Sequence, residues 1–506
     1  MKTNKCIIFG VVVFHLLLSQ EVAADSGKVP GKVPGKVPGK VESLADAFAQ
    51  GHLKGQLRYS AQYRDSNLHV LQDGSNPEAP DVKKQQYSAV GGYLGFETAP
   101  WFNTSAGLTF YTSNPIGNNP DDRSGLGGLD ESEGSQDSYH VLGEAFVKFA
   151  SGNHMLKAGR QELADYRFVS MSNIRMTPVT HQGIIYENRS ADGLRLNLGY
   201  LNKQKERNAT EFIGLVEAAR VETGCGAVDA NGECLDTGNK KLIRGDFDPG
   251  DYNAMGRYSG GRKDMPLLGA VYSGESFTVE AWDYYALDFV NTFYLYGQYT
   301  FAPFARDYAV SLAAQYGNQQ DVGDNVAGNI DTWFYGFKFQ IDGPGLNFFS
   351  SYNEVDYNEA SYDGGTIFVR WGTPQMFNSF QVQDSELAGT RSIGAGLQYD
   401  FGRQGLLPGV VMRVRYGLYD LPDKITQADA RQDRSEATFD LRYSFTRDSG
   451  FGIFTHMEGL SVQFRLAYND YQTDYNIAAF KAIHGYDIQS VTDDFFDARI
   501  YLDYNF

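Results

Sequence analysis

Apolar and polar residues alternate along most of the chain. In "LKGQLRYSAQYR", which begins at Leu53, nearly every second residue is apolar or aromatic and the residues between are polar or charged. Side chains of a strand point alternately to opposite faces, so this period of two predicts a strand with one apolar and one polar face. The C-terminal stretch "DDFFDARIYLDYNF" has the same pattern and ends on Phe506.

With these two ends included, the pattern predicts about eighteen strands, an even number that is typical of bacterial outer-membrane barrels. The predicted strands between the two ends are Tyr87–Glu97, Ser105–Tyr111, Val141–Phe149, His154–Gln161, Gly183–Asn188, Leu194–Tyr200, Leu267–Ser273, Phe277–Tyr285, Phe293–Phe301, Tyr308–Tyr316, Trp333–Ile341, Leu346–Val355, Ile393–Phe401, Val410–Tyr419, Ala437–Phe445 and Leu460–Tyr468.

The connections between these strands alternate between short and long. Short ones include "APWF", "SGN" and "DGPG", and long ones include Glu206–Met265 and Asn358–Leu387. Transmembrane barrels have short periplasmic turns and long extracellular loops. The sequence therefore predicts an all-β fold, a transmembrane antiparallel up-and-down β-barrel with its apolar face toward lipid. A soluble β-sandwich fits less well, because no linker divides the chain and Lys and Arg recur in mid-strand.

Two connections depart from this alternation. "LDFV", which ends at Val290, is short where a long loop is expected, and Arg447–Gly459 is long where a short turn is expected. A barrel with one hairpin more or one hairpin fewer than this count fits the same pattern.

The N-terminal region divides into two parts ahead of the barrel. Residues 1–24 have the basic start, short apolar stretch and small residues of a cleaved signal peptide, which predicts export. Residues 25–51 hold the repeat "GKVPGKVPGKVPGK" and a lead-in, and Pro, Gly and Lys at this density predict a solvated tether. Residues 52–506 form the predicted barrel.

Composition narrows the range of functions. The net charge of −18 argues against nucleic acid as a partner, since phosphate binding needs a basic surface. No short catalytic motif, haem-attachment motif or paired-histidine metal site is present among only 8 His, so we predict no enzyme activity, no cofactor and no metal.

Cys225 and Cys234 are the two cysteines beyond the predicted signal peptide. In an exported chain, two cysteines nine residues apart predict a disulfide that closes a small loop. Peptide mass spectrometry after non-reducing digestion should therefore find one peptide linked through Cys225 and Cys234. Recovery of two free thiols would contradict the pairing.

Several segments resemble the OprD-type porins, a family of eighteen-stranded, substrate-selective outer-membrane channels. They are "MLKAGRQELADYRFVSMSNIRMTPVTHQGIIYE" (Met155–Glu187), "GLLPGVVMRVRYGLYD" (Gly405–Asp420), "DRSEATFDLRYSF" (Asp433–Phe445) and "EGLSVQFRLAYNDYQ" (Glu458–Gln472). The resemblance implies that the third loop, Glu162–Gln182, folds inward and narrows the pore. Residues of that loop that could line the constriction are Arg167, Arg175 and His181. Without the resemblance, it is an ordinary surface loop.

The C-terminus carries a second resemblance. Alternating aromatics that include Tyr504 and end on Phe506 resemble the signal that the barrel-assembly machinery reads in outer-membrane proteins. We therefore expect this machinery, outer-membrane lipid and lipopolysaccharide among the partners, and the bacterial outer membrane as the location.

Alternation also assigns charged side chains to the lumen. The predicted basic residues that line the pore are Arg58, Arg64, Arg195, Lys338, Arg413, Arg415, Arg442, Arg465 and Arg499. Fewer acids face the same way, namely Glu144, Glu280, Asp440, Asp497 and Asp503. A row of arginines can pass an anion along many weak sites, and the resemblance implies such a basic ladder. Alternatively, these charges pair across strands and only stiffen the wall. Arg413 and Arg415 have no acid within their own strand, which favours the ladder there.

The function predicted from the sequence is an outer-membrane porin for passive diffusion of small hydrophilic solutes, with a preference for anions such as carboxylates. Two alternatives fit the same barrel. One is the sheath of a porin–cytochrome electron conduit, with an outer-membrane cytochrome as partner, and the other is a plugged structural or adhesive barrel.

Overall fold

The computed structural model of the chain describes residues 41–72, 76–77, 81–123, 125–131, 135–169, 174–215, 221–224, 239–242, 264–302, 307–324, 328–369, 371–372, 375–422, 433–445, 457–472, 490–492 and 494–506. The predicted signal peptide, the Lys-Val-Pro-Gly repeat and the Cys225–Cys234 pair lie outside these residues. The fold is a closed antiparallel barrel of eighteen strands, as the alternation predicted.

The barrel strands are β1 (His52–Gln72), β2 (Asp81–Glu97), β3 (Thr104–Pro115), β4 (Tyr139–Ser151), β5 (His154–Gln161), β6 (Thr180–Asn188), β7 (Leu194–Lys205), β8 (Met265–Ser273), β9 (Phe277–Ala286), β10 (Val290–Phe301), β11 (Ala309–Asp321), β12 (Asp331–Gly343), β13 (Leu346–Val355), β14 (Arg391–Asp400), β15 (Val410–Asp420), β16 (Arg434–Ser444), β17 (Leu460–Tyr471) and β18 (Phe495–Asn505). Short additional strands are Asn76–Pro77, Ile213–Gly214, Val221–Gly224, Asn239–Leu242 and Ser490–Thr492.

Each barrel strand pairs antiparallel with its neighbour in sequence, and the last strand closes onto the first. In the closing ladder Gln56 lies opposite Asn505, and the register continues to Asp65 opposite Phe496. Gly55 and Phe506 then exchange two backbone hydrogen bonds of 2.9 and 3.0 Å. A closed barrel leaves no unpaired sheet edge, which a lipid environment requires.

The outer and inner faces of the strands differ in polarity as the alternation predicts. On β18, Phe496, Ile500 and Leu502 are exposed on the outer surface, whereas Asp497 and Arg499 are buried inside. The apolar side chains therefore point away from the lumen, and the charged side chains point into it.

The connections also follow the predicted alternation with two exceptions. Residues 287–289 join β9 and β10 as a tight turn on the long-loop side, and residues 445–459 join β16 and β17 as a long segment on the short-turn side. Neither changes the number of strands, because each still reverses the chain once.

A short helix, α1 (Leu44–Ala49), precedes the barrel within the predicted lead-in. Ser43 caps it, since the Ser43 side chain accepts a hydrogen bond from the Asp46 amide. The helix is attached to the first short turn through a bond from the Ala99 amide to the Ala47 carbonyl (2.8 Å). In the described part of the chain, no helix combines the length and apolar character needed to cross a membrane.

Removal of Phe506 should lower the yield of folded barrel severalfold. The deletion removes both backbone bonds that close the barrel at Gly55, as well as a ring that lies over the Gly55 Cα. The change of gel mobility on boiling measures the folded fraction. Leu407→Ser, which removes a similarly exposed apolar side chain from another short turn, is the control. Equal folded yields for the two variants would contradict a role for Phe506 in assembly.

Candidate functional site in the barrel lumen

Seven of the nine predicted ladder residues lie together on five adjacent strands, β15 to β18 and β1. We call this set the basic panel: Arg58, Arg64, Arg413, Arg415, Arg442, Arg465 and Arg499. The strand register forms one row of it, in which Arg413 faces Asp440, Asp440 faces Arg465 and Arg465 faces Arg499. Because side chains directly opposite each other on one face are neighbours, the row is a continuous charged surface.

Three of these arginines pair with two carboxylates of the same wall, Asp497 and Asp503. Arg58 donates two hydrogen bonds to Asp503, from Nε (2.7 Å) and Nη2 (2.8 Å). Asp497 lies between Arg64 and Arg499, with Nε–Oδ distances of 3.0 and 2.6 Å. For Arg58 and Arg64 the structure shows the cross-strand pairing that the sequence left as an alternative, whereas Arg499 pairs with Asp497 of its own strand.

Asp440 occupies the position between Arg413 and Arg465. Its Oδ2 lies 3.2 Å from Arg465 Nε. Arg413 donates from Nε and Nη2 to the neutral Gln398 side chain, at 2.9 and 2.7 Å. Because Asp440 is also the cross-strand neighbour of Arg413, the row has one carboxylate between two arginines.

Arg415 contacts neutral groups on two sides. Its Nε donates to Thr438 Oγ1 at 3.2 Å, and its guanidinium carbon lies 4.8 Å from the centre of the Phe380 ring. Phe380 belongs to the loop between β13 and β14, residues 356–390, so this arginine connects the wall to a loop inside the barrel.

The described residues of the third loop, 162–169 and 174–179, fold into the barrel as the resemblance implied. At its start, Arg167 forms a two-bond ion pair with Glu280 of β9, at 2.9 and 2.6 Å. Burial lowers the pKa of Arg167, but the Glu280 carboxylate outweighs burial and raises it above its ordinary value. At its far end, the Arg175 carbonyl accepts from Arg58 (2.8 Å) and the Ile174 carbonyl accepts from Tyr501 (3.0 Å).

The loop of residues 356–390 also contacts the inner wall through its described residues, and sequence reasoning missed this. Its apex is attached to the wall through Glu436 of β16, a carboxylate that is 0% exposed. The backbone amides of Gln381, Val382 and Gln383 all donate to this carboxylate, at 3.0, 3.1 and 2.7 Å. Gln381 also donates to Asp497 Oδ1 (2.8 Å), so the apex covers part of the basic panel.

An aromatic cluster occupies the opposite side of the lumen, on β9, β10 and β12. Its members are Phe168, Trp282, Tyr284, Tyr294 and Phe334. Phe168 of the third loop is at its centre, with ring centroids 5.5 Å from Tyr294 and 6.2 Å from Tyr284. Because the third loop contacts this cluster at one end and the basic panel at the other, it reaches across the lumen.

Three predicted site residues lie away from the basic panel. Arg195 on β7 donates to the Asp165 carbonyl (3.0 Å), at the base of the third loop. Lys338 on β12 lies 5.1 Å from the centre of the Phe349 ring. His181 at the start of β6 is buried in the barrel wall. Arg175 of the third loop is also buried, and it donates to Gln62 of β1 (2.8 Å).

The sequence did contain one signal for the aromatic cluster. In "AWDYYALDFVNTFYLYGQY" aromatic residues occupy both faces of the strands, so Trp282, Tyr284, Tyr294 and Tyr296 fall on lumen positions. Side chains of this kind on a water-facing wall need a covering partner, which the two inward loops provide.

Phe168→Ala should free the third loop from the wall. The ring is almost fully buried, and removal of a buried Phe side chain costs about 3–5 kcal/mol. Trypsin should then cleave after Arg167 and Arg175, which the packed loop protects in the wild-type protein. Phe102→Ala, at an exposed ring, is the control. Equal resistance to trypsin in Phe168→Ala and the wild type would contradict this anchoring role.

Comparison with known proteins supports the same fold. The model of the family described as outer membrane porin, OprD family, matches residues 117–237. The Pseudomonas aeruginosa protein OccK9 (OpdG) superposes with a TM-score of 0.66 at 19% identity, covering 91% of this chain and 99% of that chain. Acinetobacter baumannii OccAB3 gives 0.66 at 14% identity, covering 90% and 99%. Pseudomonas aeruginosa OpdK with vanillate gives 0.61 at 18% identity, covering 90% and 98%. No protein of curated function matches the chain.

The family match includes the whole third loop and the strands on either side of it. Together with the shared barrel, it confirms the resemblance to OprD-type porins that the sequence motifs indicated. At these identities the solved structures establish the fold.

Proposed function

We propose that this protein is an outer-membrane channel for passive diffusion of small hydrophilic solutes, with a preference for anions that carry a carboxylate. The observation that carries the proposal is the basic panel. On the lumen face of the same strands, its seven arginines are accompanied by four buried carboxylates, Glu436, Asp440, Asp497 and Asp503. Since arginine keeps its charge at any working pH, this part of the wall is positive.

The geometry favours carboxylates over other anions. Arginine forms two parallel hydrogen bonds with a carboxylate, and Arg58 makes such a pair with Asp503 within this wall. A solute carboxylate could exchange among neighbouring arginines along the row, which keeps each binding step weak enough for release. OpdK, one of the structural neighbours, was solved with vanillate, which is itself a carboxylate, and this agrees with the proposed preference.

The OprD family match supports a channel more than an enzyme, because that family consists of porins. It also supports location in the outer membrane. We infer in addition that lipid and lipopolysaccharide surround the barrel and that the barrel-assembly machinery acts on the C-terminal Phe506. The chain's acidic net charge, −18, argues against nucleic acid as a partner.

Swelling of proteoliposomes tests the proposal. In isosmotic solutions of an uncharged sugar, gluconate and lysine, vesicles with the refolded barrel should swell in all three, and fastest in gluconate. Swelling at the rate of protein-free vesicles would exclude a channel and favour a plugged structural barrel. Haem that co-purifies with the protein would favour the electron conduit instead.

A further inference from the structure

The two inward loops cover two arginines of the basic panel. Arg58 and Arg499 are each only 2% exposed. Arg58 Nη1 donates to the Arg175 carbonyl of the third loop at 2.8 Å. Arg499 Nη2 donates to the Gln381 carbonyl of the loop of residues 356–390 at 3.0 Å. A neutral oxygen of each loop therefore occupies an N–H group of a lumen-facing arginine.

These N–H groups are the ones that a solute carboxylate would use. Arg58 directs Nε and Nη2 to Asp503, and Arg499 directs Nε to Asp497, so the nitrogen that faces each loop is the one on the side of the lumen. A hydrogen bond to an ionised acceptor is about twice as strong as a bond to a neutral one. A carboxylate can therefore compete with a loop carbonyl for either arginine.

The attachments of the two loops are linked through Asp497, a carboxylate that is 0% exposed. Its Oδ1 accepts from the Gln381 side chain at 2.8 Å, and its Oδ2 accepts from the Gln62 side chain at 3.1 Å. The Gln62 side-chain oxygen in turn accepts from Arg175 Nη1 at 2.8 Å. Three hydrogen bonds thus join the two loops through one carboxylate of β18.

The two loops are also in direct contact on the side of the aromatic cluster. Arg167 of the third loop donates from Nη1 to the Gln375 side chain at 3.1 Å. The same guanidinium lies 4.9 Å from the centre of the Tyr296 ring and pairs with Glu280. Because the loops are joined on both sides of the lumen, release of one loop removes bonds that hold the other, and we expect them to detach together.

Solute binding and loop attachment therefore exclude each other at these arginines. The N–H group that bonds the Gln381 carbonyl cannot at the same time bond a solute carboxylate, and the same holds for Arg58 and the Arg175 carbonyl. A ligand that binds only one of two conformations shifts the population toward that conformation. At about ten times its dissociation constant for the detached state, such a solute raises the ratio of detached to attached loops about tenfold.

We propose that the two inward loops form a single gate that carboxylate solutes open, by replacing the carbonyls of Arg175 and Gln381 on Arg58 and Arg499. The gate rests on the proposed function, because it requires a channel that admits carboxylates. It adds that a carboxylate increases the access of the next solute molecule to the basic panel, whereas an uncharged solute does not.

Single-channel recording in planar bilayers tests the gate with three additives in one potassium chloride solution. Potassium gluconate supplies the carboxylate. Sorbitol has the same six-carbon polyol chain without the carboxylate, and additional potassium chloride matches the ionic strength. The fraction of time that the channel is open should rise severalfold with gluconate and stay near its initial value with sorbitol or chloride.

Trypsin provides a second measurement that does not depend on current. Cleavage after Arg175 in the folded barrel should be severalfold faster in gluconate than in sorbitol or chloride, because the detached third loop is accessible. This measurement separates opening of the gate from block of the pore by gluconate. Cleavage of a free peptide in the same solutions corrects for any effect on trypsin itself.

Two variants of the apex test the link through Asp497. Gln381→Ala removes the side chain that bonds Asp497. Gln383→Ala is the matched control, because the Gln383 side chain attaches the same apex to Asn469 at 2.9 Å instead. Gluconate should open the wild type and Gln383→Ala in one current step, and Gln381→Ala in two steps, one for each loop.

Each result decides between defined alternatives. A conducting channel whose open fraction and tryptic cleavage do not change with gluconate would overturn the gate, and so would an equal rise with potassium chloride. Opening of Gln381→Ala in one step would overturn the single gate linked through Asp497. If the folded barrel carries no current in any of the solutions, the proposed function itself fails.

Discussion

Glu436→Ala should detach the apex of the loop of residues 356–390 and raise the single-channel conductance. The substitution leaves the amides of Gln381, Val382 and Gln383 buried without their acceptor. Each unsatisfied donor costs about 1–3 kcal/mol, and the lower figure summed over three donors changes the population of the attached loop by about a hundredfold. Conductance of purified protein in planar bilayers measures the result, and the wild-type channel provides the reference value.

The matched control for this variant is Glu354→Ala. Glu354 on β13 accepts hydrogen bonds from the Tyr335 and Tyr352 hydroxyls (2.7 and 2.6 Å), so the control removes an equal charge from a carboxylate that holds no loop backbone. Its conductance should match the wild type. Equal conductance in the wild type and folded Glu436→Ala would mean that the other contacts of the apex suffice to hold the loop.

Arg413→Gln with Arg415→Gln should lower the ratio of anion to cation permeability severalfold without loss of the barrel. A unit charge at ~7 Å in water contributes about 0.6 kcal/mol, close to RT, and two charges are removed. Glutamine keeps a donor for Gln398 and Thr438, the side chains that the two arginines contact. The reversal potential under a salt gradient measures the ratio, and the effect should shrink at high ionic strength.

Two further variants test whether the loss of positive charge inside the lumen causes the lower permeability ratio. Arg413→Lys with Arg415→Lys preserves both charges and should keep the wild-type ratio. Arg189→Gln with Arg403→Gln removes two exposed charges from the short turns outside the lumen and should change the ratio little. If the glutamine variant of the panel selects ions as the wild type does, the panel is wall scaffolding and selection occurs elsewhere in the lumen.

The barrel could be predicted from the sequence because a closed sheet with lipid outside imposes one simple rule on every strand. On β15, alternation puts Val414 and Tyr416 outside, which places Arg413 and Arg415 inside, and the structure has them there. The strand ends were less well predicted. β1 continues to Gln72, well past the clear alternation that ends near Arg64, because pairing with β2 extends it to Leu68 and the short strand Asn76–Pro77 pairs with its last two residues.

The contents of the lumen could not be predicted in the same way, since they depend on contacts distant in sequence. Alternation places Glu436 on the inner face, but nothing near it indicates that the backbone of Gln381 to Gln383 is its partner. The same limit applies to the basic ladder. Arg413 and Arg415 lack an acid within the predicted strand Val410–Tyr419, yet Asp440 lies opposite Arg413 on the next strand, which only the register reveals.

The reversal potential of the wild-type channel in a potassium chloride gradient tests the central claim most directly. If the basic panel controls permeation, the sign of the potential will show that chloride passes more readily than potassium, and replacement of chloride by gluconate will leave a measurable anion current. A potential of the opposite sign, or the absence of any conductance from folded protein, would contradict the account.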